Sequence, residues 1–213
     1  MKITVVGAAG MVGSRVLAEA ARRGHDLVAV FRTRRPGTVV PDGVTAVEGD
    51  ADDPGRISRL LGDTGTDAVV AATRPPAGRE ATLAATTNSL LDAAAAAGTR
   101  ILVVGGAAPL RLPGEQESLV ADSPVYVPAE YRAAAAASAA QLDVCRAHMA
   151  DWVYLSPPAL LEPGARTGTY RRATTTLLTR PDGTSGISAE DLAVAVLDEL
   201  EQPGGVRHFT VGY

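Results

Sequence analysis

The chain has 213 residues, of which 46% are hydrophobic and 21% charged, and carries a net charge of −4. These values suit one globular unit with little chain left for a second core, and the acidic balance argues against a nucleic-acid binder, which shows a basic excess. A single cysteine, Cys145, excludes an intramolecular disulfide and a thiol-held zinc; no apolar run approaches the ~20 residues of a membrane span, and the Gly-broken opening is too short for a secretory signal, so a cytoplasmic protein is expected.

Residues 3–6 are an apolar, β-branched burst ending at Gly7, the pattern of a buried strand. Residues 11–23 predict a helix, with Val12, Val16, Leu17 and Ala20 on one face and Gly24 as its stop. A second strand over 27–31 precedes a loop with Pro36, Gly37 and Pro41, and a third strand covers 44–47. Residues 54–61 form a short helix started by Asp52 or Asp53, with proline at an early position. A fourth strand (68–72), a long Ala/Leu helix (79–97) closed by Gly98, and a fifth strand (101–104) follow. An alanine-rich helix is predicted over 129–149, a sixth strand over 152–155, a helix over 187–201 with Ser188 as N-cap, and a last strand over 209–211.

Strands alternating with helices predict a Rossmann-type, doubly wound parallel sheet in one domain, residues 1–213. Two stretches break the rhythm, 106–127 and 157–186. Both follow strands, so both are expected at the carboxyl edge of the sheet, where open α/β folds bind ligands, as a small substrate-side lobe. The long helices 79–97 and 129–149 can pack against the sheet or against a partner subunit in a homo-oligomer.

Gly7, Gly10 and Gly13 directly follow a strand and open a helix. Gly7 permits the tight turn, Gly10 lets a pyrophosphate approach the backbone, and Gly13 lets helix and strand pack closely. The helix N-terminus then receives the phosphate charge. An NAD-binding fold carries an acid ~20 residues on, against the ribose 2′-hydroxyl. That place reads Phe31-Arg32-Thr33-Arg34-Arg35, with no acid and three guanidinium forks, which favours the 2′-phosphate of NADP(H). Asp50, after the third strand, either meets the adenine amino group or caps its own turn.

GAAGMVG at 7–13, Arg23-Gly24-His25, Arg32, Gly49-Asp50 and Val103-Val104-Gly105-Gly106-Ala107 resemble the atypical short-chain dehydrogenase/reductases. Within them, the chain is similar to the NAD(P)H-binding subgroup of flavin/biliverdin reductases and NmrA-like sensors. Asp151-Trp152-Val153-Tyr154, Ser156-Pro157, Pro163-Gly164, Arg166-Thr167-Gly168, Tyr170, Ile187-Ser188 and Glu190-Asp191-Leu192-Ala193 resemble a bacterial branch of it. The resemblance spans nearly the whole chain and implies a set of cofactor positions. Gly7, Ala9, Gly10, Met11, Val12 and Gly13 surround the pyrophosphate. Arg32 takes the 2′-phosphate, and Asp50 and Ala51 the adenine; Arg35, from the same arginine run, is a further candidate for the 2′-phosphate by its charge. Ala72, Thr73 and Arg74 run along the ribose side, and Gly105 and Gly106 lie near the nicotinamide.

The proton-transfer groups are thinner. Classical members use Tyr-x-x-x-Lys, but the only lysine here is Lys2, in the first strand. Either Tyr131 keeps the tyrosine role with Ala135 in the lysine place, or Arg132 stands for lysine with Pro128 in the tyrosine place. The flavin/biliverdin type uses a serine after the fifth strand and a histidine after a Pro-Pro pair. Here those places hold Gly105-Gly106-Ala107 and Ser156-Pro157-Pro158-Ala159. Ser156 remains as a hydroxyl beside the expected nicotinamide, or as a cap of its loop. His25 and His148 are expected remote from the site, His208 exposed, and Cys145 packed. The substrate wall is assigned to 74–78, to the first irregular segment with Tyr126, and to the second with Tyr170. The expected function is an NADPH-dependent oxidoreductase passing hydride to a small aromatic, quinone or flavin-like acceptor. A non-catalytic NADP(H) sensor and a redox-neutral isomerase or dehydratase stand as alternatives.

Overall fold

The computed structural model of the protein describes residues 1–33, 40–115 and 117–213. Arg34 and Arg35 therefore lie outside the described residues. The chain runs β1 (Lys2–Val6), α1 (Met11–Arg22), β2 (Asp26–Phe31), β3 (Thr45–Glu48), α2 (Pro54–Thr64), β4 (Ala68–Ala71), α3 (Leu83–Ala97), β5 (Arg100–Val104), α4 (Arg132–Ala147), β6 (Trp152–Ser156), β7 (Leu160–Glu162), β8 (Arg171–Ala173), β9 (Gly186–Ser188), α5 (Ala189–Glu201) and β10 (His208–Gly212).

Eight strands form one sheet in the order β3-β2-β1-β4-β5-β6-β10-β8. Seven are parallel, and β8 adds an antiparallel edge against β10. Parallel pairs need crossovers, and these place helices on both faces. α1 and α5 pack together on one face, where Val16 and Leu17 meet Leu192 and Val196 over Ile3, Val5 and Phe209. α2, α3 and α4 cover the other, with Ile57, Leu90 and Leu142 over Val6, Val69 and Val103. This is the Rossmann-like α/β fold that the alternating pattern predicts. No helix among the described residues is long and apolar enough to cross a membrane.

Local signals account for most boundaries. Asp53 caps α2 by accepting from the Arg56 amide at 2.9 Å, and Gly65 ends it in the left-handed region. Ser188 caps α5 through the Asp191 amide at 3.0 Å. The helix expected from 129 starts with a 3₁₀ turn, so α4 proper begins at Arg132. The strands β7, β8 and β9 have no periodic signature. They exist because distant partners pair them: Leu161 with Ile187, and Arg172 with Val211. Ile187, expected inside a helix, is consequently the centre of a strand.

The two irregular segments touch in a small apolar cluster of Leu110, Val120, Val127 and Leu177. Residues 163–170 depart from this arrangement and are clamped onto α1 and α5. Buried Asp191 accepts from the amides of Thr167 and Gly168, both at 2.8 Å, from the Thr167 hydroxyl at 2.5 Å and from the Tyr213 hydroxyl at 2.6 Å. Tyr170, expected on the substrate wall, instead donates to Asp198 of α5 at 2.5 Å. Its polar end is committed to the α5 face.

Glu19 of α1 is the second clamp. Its carboxylate, 4% exposed, receives Arg22, Arg23 and Arg166. Burial alone would raise its pKa, but the three guanidinium bonds hold it well below the ordinary 4.5. A depressed folded pKa adds stability that is full above 4.5 and drains as pH falls below it. Glu19→Gln is expected to cost about 2 kcal/mol at neutral pH, since the arginines are partly solvated. It should also flatten the fall of melting temperature on acidification below 4.5. Parallel acid curves for wild type and variant would refute the assignment.

Candidate functional site

The sheet order reverses between β1 and β4: the chain leaves β1 toward β2 and β3, then returns to β4 on the opposite side. A crevice opens at the carboxyl ends of strands at such a switch point. The turn from β1 into α1 occupies it, and glycine is a steric necessity there. Gly7 has φ +88°, and a Cβ on it would lie 2.4 Å from the Ala72 carbonyl oxygen. A Cβ on Gly13 would lie 2.2 Å from the Gly7 carbonyl oxygen. The helix starts at Gly10 with no side-chain cap and no acid in its first turn. Its first amides therefore meet no competing side chain, and Ala9 and Gly10 are exposed at the opening. This cradle fits a pyrophosphate, whose charge the helix start favours.

Beside the cradle lies a cavity of about 270 Å³ whose lining includes Arg32, Asp50, Thr73, Arg74, Arg79 and Thr86. Arg32 sits at the end of β2, 3.9 Å from Asp50 and more than half exposed. Asp50 accepts from the Asp52 amide at 3.1 Å, so it caps its own turn while one side of it faces the cavity. Ala51, expected against adenine, is 5% exposed and packs into the α2/α3 core. Ala72 continues from β4 with its amide on Val6 at 2.9 Å.

Pro75 and Pro76, expected on the substrate wall, line this same cavity with Arg32 and Asp50. Arg79 and Thr86 belong to it as well. No local pattern marks them, because α3 and the turn before it reach the crevice only once the sheet has ordered its neighbours.

Gly105 and Gly106 end β5 above a buried tyrosine. A Cβ on Gly105 would lie 1.9 Å from the Tyr154 hydroxyl oxygen, and one on Gly106 2.8 Å from Ser138 Oγ. The Tyr154 hydroxyl donates toward the Ser138 carbonyl at 3.0 Å or Gln141 Oε1 at 3.1 Å, and accepts from the Gly106 amide at 3.4 Å. Burial pushes this phenol well above its ordinary value. The glycine pair therefore accommodates Tyr154 from β6, a packing role that the resemblance alone did not indicate.

The three expected chemical groups are not brought together. Tyr131 is 54% exposed in the turn before α4, and Arg132 is the first residue of that helix. Neither makes a side-chain hydrogen bond among the described residues. Ser156 is fully buried, with Oγ 2.9 Å from His208 Nε2. Its hydroxyl is bonded within the protein and has no exposure to solvent. His208, expected exposed, packs edge-on against Tyr154 with ring centroids 5.4 Å apart. Its burial, with the Arg146 charge, drops its pKa to about 4, so the imidazole is neutral at physiological pH. Register explains both corrections: pairing of β10 with β6 sets His208 beside Tyr154 and Thr210 beside Ser156.

His25 pairs with Glu201 at 2.7 Å and His148 with Asp92 at 3.1 Å, both away from the crevice. Cys145 is buried, its thiol pushed up to about 12 by that burial. Among the described residues, no three His, Cys, Asp or Glu side chains are grouped to hold a metal ion.

Gly105→Ala is expected to cost about 1–3 kcal/mol by overpacking against Tyr154. In a Tyr154→Leu background the same change should cost at least about 1 kcal/mol less, because the two positions share one space. Additive losses in denaturant titrations would show that they do not.

An established family of NAD(P)H-binding proteins matches residues 7–203 of the chain. The chain is 34% identical over 208 residues to the uncharacterized protein YwnB of Bacillus subtilis, covering 95% of this chain and 93% of that one. It is 33% identical to a candidate epimerase from Bacteroides thetaiotaomicron, with a TM-score of 0.88 over 100% of this chain and 96% of the other. It is 28% identical to a candidate NADH-flavin reductase from Streptococcus pneumoniae, with a TM-score of 0.83 over 100% and 99%. With a cradle that fits a pyrophosphate and a family match over almost its whole length, this chain belongs to the NAD(P)H-binding proteins.

Proposed function

We propose that the protein is an NADPH-dependent oxidoreductase whose acceptor is a small aromatic, quinone or flavin-like molecule. The observation that carries the cofactor half is the uncapped, acid-free start of α1 beside Arg32. In this reading Gly7, Ala9, Gly10, Met11, Val12 and Gly13 hold the pyrophosphate. Arg32 forks onto the 2′-phosphate, and no acid at the end of β2 repels it. Asp50 and the backbone at Ala51 border the adenine, Ala72, Thr73 and Arg74 the riboses, and Gly105 and Gly106 the nicotinamide.

When bound, the dihydronicotinamide supplies the hydride, and the protein supplies placement. The chain offers little for proton transfer. Ser156 is buried and bonded to His208, Tyr154 is committed to α4, and His208 is neutral and half-buried. A ketone reduced without a positioned acid forgoes roughly 10²–10⁴-fold. Flavins and quinones take their protons from water, so they suit such a site. The Streptococcus relative, a candidate NADH-flavin reductase, agrees in class. A redox-neutral reading draws on the Bacteroides relative, a candidate epimerase; it predicts substrate turnover with no net loss of NADPH.

Steady oxidation of NADPH in the presence of a flavin or quinone panel is the expected result. Tight NADPH binding with every acceptor inert would overturn the catalytic reading. Arg32→Gln should lower the preference for NADPH over NADH by roughly 10–100-fold, the worth of one or two charge-assisted bonds. An unchanged ratio of kcat/KM values for the two cofactors would remove Arg32 from that role.

A further inference from the structure

We propose that the protein carries a second ligand site, behind α4, that binds a small oxyanion, a carboxylate or phosphate group, between Arg111 and Arg146. The site shares no residue with the cofactor crevice and does not depend on the identity of the acceptor.

A cavity of about 300 Å³ opens between α4 and the two irregular segments, lined in part by Pro109, Arg111, Leu119, Asp143, Arg146 and Thr175. Its volume is at the low end for small-molecule sites, too small for a dinucleotide. Spacing by four and three puts Ala139, Asp143 and Arg146 on one flank of α4. Ser138, Gln141 and Cys145 face the sheet instead. Across the cavity, Arg111 is held by its backbone, with its amide on Thr175 and its carbonyl on Leu177. Its guanidinium has no partner among the described residues. Arg146 is held by Asp143 at 3.1 Å through one nitrogen, leaving most of its five donors unused.

The sheet beneath points the same way. His208 and Thr210 of β10 stand beside Tyr154 and Ser156 of β6, so all four project toward the α4 side, where the Tyr154 hydroxyl already reaches Ser138. Two atoms there are buried without a partner, His208 Nδ1 and Thr210 Oγ1. Arg146 is near enough to His208 for its charge to help keep the imidazole neutral. The charged donors on the cavity wall are the two guanidinium groups; His208 and Thr210 stand on the same side of the sheet but are not part of that wall. The one acid on the wall, Asp143, is spent on Arg146. An excess of donors around a small cavity selects an acceptor-rich anion.

The chain has three histidines, His25, His148 and His208, and the His208 ring, which feels the charge of Arg146, reports on that guanidinium. NADPH-saturated protein, in which the crevice is filled, is titrated with inorganic phosphate and separately with acetate, against sodium chloride at equal ionic strength. His208→Gln assigns the signal. The expected result is a saturable shift of the His208 ring with phosphate, acetate or both, but not with chloride, while His25 and His148 stay still. The responding anion identifies the group. Arg111→Ala and Arg146→Ala, both at exposed positions, should each weaken the effect roughly tenfold, as loss of a charge-assisted pair predicts, and Arg111→Lys should keep part of it. No saturable shift with either anion, or one undiminished in both alanine variants, overturns the proposal.

Discussion

Three elements meet main chain against main chain at one point. The Gly7 carbonyl leaves no room for a side chain at Gly13, and the Ala72 carbonyl leaves none at Gly7. β1, the first turn of α1 and the end of β4 are thereby packed main chain on main chain. This contact sets the depth of the crevice and the aim of the helix start, and no cap competes for its amides. Everything assigned to the cofactor depends on that one steric arrangement, because a helix withdrawn by even a methyl group would present its amides from farther away.

Around this contact the molecule spends its buried charge on fastening the C-terminal segment. Glu19 and Asp191, on two helices of the same face, take up guanidinium, amide and hydroxyl donors from residues 166–168 and from Tyr213. Carboxylates buried this way are stable only because nearly every oxygen lone pair is satisfied. The result is a loop without helical or strand periodicity that is nevertheless held at fixed points.

The opposite face is held by a polar layer rather than by charge. Tyr154 links β6 to α4, Gln141 continues to Thr87 on α3 at 3.1 Å, and His208 joins Ser156 across the β6–β10 pair. The same layer engages the hydroxyls of Ser156 and Tyr154 in bonds within the protein. It also fills the space that side chains at 105 and 106 would occupy, so the shape of the crevice at that end is decided from beneath.

The amino-acid sequence by itself determined the alternation of strands and helices, the cap at Ser188, a cap for α2 at either Asp52 or Asp53, and the glycine turn. Each is a local matter of apolar period, a side chain three residues from an amide, or a φ that only glycine tolerates. The absence of an acid after β2 was equally legible. Tertiary structure alone decided that β7, β8 and β9 are strands, that Pro75 and Pro76 share a cavity with Arg32 and Asp50, that Tyr170 binds Asp198, and that Ser156 and His208 are bonded to each other. Those outcomes depend on partners 52 residues apart in the case of Ser156 and His208, and 28 apart for Tyr170 and Asp198. No window of local sequence contains both partners, and register between strands, which puts one residue beside another, is settled only when the whole sheet assembles.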